Sequence, residues 1–339
     1  MADPLPAPWV LAALFNHRAV VDGAAGGTVF VFPGYGWQWT DMAAELLGSA
    51  PVFADVMARC DAAFSEFLDW SLLDAVLGGA GPSPPRGAHF TQPVSFAVMV
   101  SLAAQWMALE IRPDAVLGHS HGEVAAAYVA GGLSLRDAAK VVAQRSIGLS
   151  AIAGSGDIVS VPLPVDRVLA VIERSHSPIS VTAHNGPSST VVTGPPAAVE
   201  DLMAELERNG VSALRLPVDY PADCGQIDEL LPALRTSLSD LAPRRAEISF
   251  VSSVTGAGLD TSILDGDYWF ANLRQTVLFE QAVRWVCEHG YRTFIETSPT
   301  PVLVECIRES VDQYSAVREK RGGSHTPESS AVISGESGS

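Results

Sequence analysis

The sequence predicts an α/β protein, and three observations carry that reading. Short apolar, β-branched runs such as "TVFVF" alternate with longer segments of helical periodicity. Residues 157–217 read β-α-β-β-α-β, the order of a ferredoxin-like unit, and sit inside the larger α/β chain. In "DAVLGHSHGEVAAAYV" a strand, a tight turn and a helix follow directly on one another.

The elements follow in chain order. Thr28 to Phe32 is a short apolar strand that ends in a Pro-Gly loop. The helical periodicity of "TDMAAELLGSAPVFADVMARCDAAF" starts after Thr40, an expected N-cap. Residues 80–88, "AGPSPPRGA", form a Pro/Gly-rich loop, and "FTQPVSFAVMVSLAAQWMAL" is apolar all round, as a buried helix is. After the central turn, "SLRDAAKVVAQRSIGLSAI" is a helix capped by Ser134. "AEISFVSSVTG" and "RTFIETSP" read as strands returning to the main body. The expected organisation is a body of residues 26–156 and 218–315, a small subdomain at 157–217, an N-terminal linker at 1–25 and a disordered polar tail at 318–339.

Composition narrows the function. The chain has 339 residues, 47% hydrophobic and 17% charged, with 38 acidic against 21 basic residues and a net charge of −17. Such a balance speaks against a nucleic-acid binder and against docking on an anionic membrane. Cys60, Cys224, Cys287 and Cys306 lie far apart with no CxxC pair, which fits neither a thiolate metal site nor a disulfide framework. A reducing, cytoplasmic setting is expected. No signal-peptide pattern opens the chain, and no apolar run reaches spanning length.

The chemistry centres on "LGHSHGE", a G-x-S-x-G stretch formed by Gly118, Ser120 and Gly122. Small residues flank the serine so that the backbone can kink and its hydroxyl can project from the sheet. The helix behind it offers N–H groups to a developing oxyanion.

Around this turn the chain resembles the acyltransferase domains of modular polyketide synthases and the related malonyl-CoA:acyl-carrier-protein transacylases. The resemblance runs in order from about residue 26 to 312: "VFVFPGYGWQW", "FTQPVSFAV", "GHSHGE", "VVAQRS", "NGPSSTVVTG", "DYWFANLRQTVLFEQAV" and "FIETSPTPVL". "PWVLAAL" near the N-terminus resembles the start of the linker that precedes such domains, as in a free-standing descendant or a piece of a longer synthase. The resemblance implies an α/β-hydrolase-like large subdomain with an inserted ferredoxin-like small one. It also implies antibiotic-type polyketide biosynthesis, with an acyl-CoA or acyl-carrier thioester as donor and an acyl carrier protein as acceptor. No resident cofactor or metal is implied; CoA and the carrier's phosphopantetheine arm bear the acyl group.

By the same resemblance, Ser120 is the nucleophile, and the backbone N–H groups of Tyr35 and His121 form the oxyanion hole. Arg145 clamps the free carboxylate of a malonyl-type substrate, for which a guanidinium fork is suited. Gln92 and Tyr220 fall at substrate-side positions. The general base position departs from the pattern. The family has D-Y-A-S-H-S; this chain has "DYPADC", which puts Asp223 where the histidine belongs, and Thr300 replaces another histidine. An ordinary aspartate, near pKa 4, is a weak base for a hydroxyl. Three accounts stand open: another histidine acts, with His184 the candidate and His121 less well aimed; Asp223 acts slowly; or catalysis is lost and the chain only binds carrier. A thioester hydrolase with the same acyl-enzyme is the near alternative. Cys224 reads as a small buried residue.

Overall fold

The computed structural model describes residues 18–20, 26–34, 40–78, 87–218 and 225–322. Their centre is a six-stranded sheet in the order β1-β10-β2-β3-β8-β9. Its strands are β1 (Arg18–Val20), β2 (Gly27–Phe32), β3 (Ala115–Gly118), β8 (Ser249–Ser252), β9 (Ala257–Gly258) and β10 (Tyr291–Glu296). The inner four, β10, β2, β3 and β8, run parallel, and β1 and β9 close the two edges antiparallel. β1 lies in the segment expected to be only a linker; it pairs with β10, Ala19 opposite Phe294.

Alternation along these strands builds two cores. Phe30, Phe32, Val116 and Phe250 face the layer that holds the helices Pro51–Phe64, Ala88–Ala108 and Leu135–Ala151. Val29, Val31, Ala115, Leu117 and Val251 face the opposite layer, with the helices Phe279–Glu288 and Val304–Gly322. Parallel strands covered on both sides must be apolar at every position, which is why "VFVF" lacks a polar face. The helix Ala88–Ala108 is the long apolar one; Phe96, Met99 and Ala103 are fully buried, and Pro93 lies inside it. Ser134 caps the helix Leu135–Ala151, its Oγ accepting from the Asp137 N–H at 3.0 Å. Thr40, expected as a cap, is instead the first residue of its helix, Thr40–Ser49.

Residues 157–215 form a second, antiparallel sheet in the order β5-β6-β4-β7, from β4 (Asp157–Val161), β5 (Ser180–Gly186), β6 (Ser189–Gly194) and β7 (Leu214–Arg215). This is the strand order of a ferredoxin-like unit. The helices Val165–Ser175 and Pro196–Arg208 cover one face through Val159, Val168, Val192, Val199 and Leu202. The other face, with Ile158, Ala183 and Val191, joins the core of the body. A short parallel bridge stitches the two units together: Val277 donates to the Thr182 carbonyl and accepts from the His184 N–H. The Thr276 hydroxyl adds a bond to the Val181 carbonyl at 3.1 Å.

The last helix runs to Gly322 and so takes in the first residues of the stretch expected to be disordered. "REKR" is made of good helix formers, and it continues an established helix rather than starting one. That helix begins beside a buried carboxylate. Glu296, at the end of β10, accepts from the N–H groups of Val302, Leu303 and Val304 and from the Ser298 hydroxyl, at 2.8–3.1 Å. Glu296→Ala is expected to orphan these donors and cost about 3 kcal/mol or more, with Glu296→Gln costing less. Denaturant melts of the two variants against the parent check the order.

Candidate active site

Ser120 lies two residues after the end of β3 and two before the start of the helix Gly122–Val129. Its φ is 54°, a left-handed backbone that a side-chain-bearing residue adopts only under constraint. The neighbouring glycines supply the constraint. A Cβ on Gly118 would lie 2.2 Å from the Glu123 Cα, and one on Gly122 would lie 2.1 Å from the Phe32 carbonyl oxygen. Strand and helix therefore pack more tightly than any larger residue allows, and Ser120 is left at the apex. Removing its side chain relieves part of the strain. Ser120→Gly is expected to raise stability by roughly 1 kcal/mol while abolishing any serine chemistry, readable as a higher Tm.

A cavity of about 370 Å³ opens over this apex between the two units. Ser120, His119, Arg145, Asn185 and Asn272 form its polar end. Ile158, Val191, Leu216, Val277 and Leu303 make most of the rest apolar. Arg145 reaches it from the helix Leu135–Ala151 and is only 5% exposed. One guanidinium nitrogen, Nη2, stands 3.3 Å from Ser120 Oγ; the other, Nη1, donates to Asn272 Oδ1 at 2.7 Å. Asn272 in turn donates its Nδ2 to the Ser120 carbonyl at 3.1 Å. Its amide thus holds both the elbow and the cation that faces it.

His119 and His121 flank Ser120 without sharing its role. His119 lies 2.7 Å from Asn185 Oδ1 through Nε2, and its ring packs against Phe279. His121 is buried, 1% exposed, and its backbone N–H lies where the strand turns into the helix. Burial pushes both imidazoles below their ordinary value, and His121 is held well below by the added positive charge of Arg145. Both are neutral when folded, whereas unfolded histidines take up protons below about pH 6.5. The unfolded state then binds more protons, so stability is lost as pH falls from that value toward the depressed folded ones. Tm is expected to fall on acidification below about pH 6.5, and His121→Asn to flatten that limb, by thermal melts across the range.

The remaining expected site residues divide. Thr182, Ala183 and Asn185 of β5 line the cavity, but His184 does not. Its ring is half-buried, its pKa is lowered by that burial, and the charge that opposes the shift is Glu280. The segment borders the site as expected, but the His184 ring, expected as a candidate base, is not among the cavity's lining groups. It sits on the strand between the cavity-lining Ala183 and Asn185, where the β5–β6 pairing is irregular. Gln92 is fully buried in the helix Ala88–Ala108 and does not line the cavity either. Tyr35, Tyr220, Asp223 and Cys224 lie outside the described residues. Leu216 and Pro217, which precede the segment with Asp223 in the sequence, line the cavity. Two arginines near the cavity, Arg215 and Arg274, are each engaged: Arg215 with Asp157, and Arg274 with Asp228 at 2.8 Å.

Asn185 and Asn272 fall inside the motifs "NGPSSTVVTG" and "DYWFANLRQTVLFEQAV", and their place in those motifs is the signal in the sequence that marks them. Cys306 was read only for its redox setting, yet it lines the cavity, and burial raises its thiol above the ordinary range. Among the described residues, no group of three or more His, Cys, Asp or Glu is arranged to hold a metal, and no helix is long and apolar enough to cross a membrane.

Comparison with known proteins agrees with this geometry. The family model described as "Acyl transferase domain" matches residues 29–333. Mycoketide-CoA synthase of Mycobacterium tuberculosis is 45% identical over 332 residues, which covers 89% of this chain and 8% of that protein. The chain thus spans under a tenth of the length of this curated relative. The acyltransferase domain from module 8 of the salinomycin polyketide synthase superposes with a TM-score of 0.82 at 45% identity, over 86% of this chain and 70% of that one. A loading acyltransferase from the avermectin modular polyketide synthase gives 0.81 at 43%, over 85% and 92%. With its serine at the apex of a glycine-flanked turn and its two-unit fold, the chain belongs to the acyl transferase domain family, in the form found in polyketide synthases.

Proposed function

We propose that the chain moves a malonyl-type acyl group from a CoA or carrier-protein thioester, through an ester on Ser120, to the phosphopantetheine thiol of an acyl carrier protein. The observation that carries the reading is Arg145: a buried guanidinium 3.3 Å from Ser120 Oγ in a cavity otherwise largely apolar. A cation so placed favours an acyl group with its own carboxylate, because in low dielectric a charge pair is worth far more than in water.

In the first half-reaction Ser120 Oγ attacks the thioester carbonyl. The oxyanion forms against the His121 N–H and the helix start behind it. The tetrahedral intermediate collapses by breaking the C–S bond, and the thiolate leaves with the proton taken from Ser120. In the second, the carrier thiol attacks the ester and Ser120 recovers its proton. Asp223, at the base position of the family pattern, is the group assigned to that proton. A carboxylate is a weaker base than the imidazole it replaces, so both steps are expected to be slow. The apolar wall disfavours water as the acceptor, which supports transfer over hydrolysis.

Intact-protein mass spectrometry with malonyl-CoA, methylmalonyl-CoA and acyl-carrier thioesters tests the reading. An acyl adduct is expected on the parent, absent in Ser120→Ala, and released by holo carrier. Clearance by water alone at the same rate would make the chain a hydrolase. No adduct with any donor would leave a carrier-binding protein without catalysis. Arg145→Ala is expected to slow acylation by malonyl-CoA roughly a hundredfold. Asp223→His is expected to speed it at least about tenfold.

A further inference from the structure

Glu123 is fully buried one turn after Ser120, yet it touches no part of the cavity. Its Oε1 accepts from the Ser253 N–H and hydroxyl and from the Val254 N–H. Its Oε2 accepts from the Tyr268 phenol at 2.5 Å. That phenol also stands 2.8 Å from Ser252 Oγ, which accepts from the N–H groups of Val254 and Thr255 and so keeps its own proton for the phenol oxygen. A buried carboxylate with this many donors is specific in geometry, since each lost bond leaves an orphaned group.

Tyr268 lies in the helix Gly266–Arg274, four residues before Asn272 and so on the same face. The helix is pinned at its start by Asp265, which accepts from the Tyr268 N–H at 3.0 Å. One helix therefore carries a grip on Glu123 at one turn and a grip on Arg145 and Ser120 at the next. We infer that Glu123 and Tyr268 are positioning residues for the Arg145 clamp: by fixing the height and rotation of this helix they set Asn272, and through it the guanidinium, against Ser120. Preference for a carboxylated acyl donor then depends on a hydrogen bond outside the cavity. This rests on the clamp role of Arg145 in the reading above.

The test separates donor preference from general damage. In full-length Ser120→Ala protein, calorimetry gives the affinities for malonyl-CoA and acetyl-CoA without turnover. Tyr268→Phe keeps the ring, which packs edge-on against Trp269, and removes only the hydroxyl. It is expected to lower the malonyl-over-acetyl preference about tenfold and to leave acetyl-CoA affinity within about twofold. In an Arg145→Ala background it is expected to change nothing further. An equal loss for both donors, or the same change of preference without Arg145, would overturn the inference. Should Tyr268→Phe fail to fold, Ser253→Ala loosens Glu123 by one bond and is expected to shift the preference the same way, less strongly; no shift in that variant overturns the inference as well. A Ser120→Ala parent that binds both donors alike, or neither, removes the clamp and the inference together. A parent that prefers malonyl-CoA while the native chain forms no Ser120 adduct sinks only the transfer reaction.

Discussion

On either side of Ser120 two backbones come so close that no Cβ fits: Gly118 against Glu123, Gly122 against Phe32. That double approach sets the rest of the site. It forces the serine into a left-handed φ, sends its side chain off the sheet, and brings the helix start within reach of any oxyanion formed there. It also places Glu123 directly behind the turn, where its carboxylate binds the loop after β8 and the helix that carries Asn272. Strain at the apex is held by a packed core on both faces of the sheet, and Phe32 serves in that core as well as in the turn.

Features governed by neighbours in the chain were legible in the sequence. The apolar runs of β2 and β3, the glycines of the turn, the Ser134 cap and the strand order of the small unit all follow from local pattern. Arg145 was legible because its motif names it, although nothing local says that its partner is Asn272, 127 residues away. What failed depended on packing. His184 is misread from the chain because its position borders the site while its side-chain direction is decided by register, here disturbed by bulges in the β5–β6 pairing. The salt bridges of Arg215 and Arg274 are equally invisible to spacing, since Asp157 and Asp228 reach them only after folding. The β1 strand was missed because three residues with no alternation to show are a strand only by virtue of the edge they cover.

The two histidines beside Ser120 show how the pattern of charge narrows its chemistry. Burial and Arg145 keep His121 neutral, and Asn185 engages His119 from the far wall of the cavity. A neutral, low-pKa imidazole beside a guanidinium is a poor acceptor for a second positive charge. The electrostatics that suit Arg145 to an anionic substrate thus work against a neighbouring cationic base.

The bridge between the units has a bearing on how such a domain can be taken apart. The wall of the cavity contributed by β5 is not merely packed on the body: Val277 exchanges main-chain bonds with Thr182 and His184, and Thr276 adds its hydroxyl to Val181. Thr276 and Val277 thus extend the small sheet with residues that the chain supplies about sixty positions after the insert ends. The interchangeable cassette is accordingly discontinuous. A graft of the 157–217 insert between related domains keeps its cavity wall only when this short strand from the body travels with it.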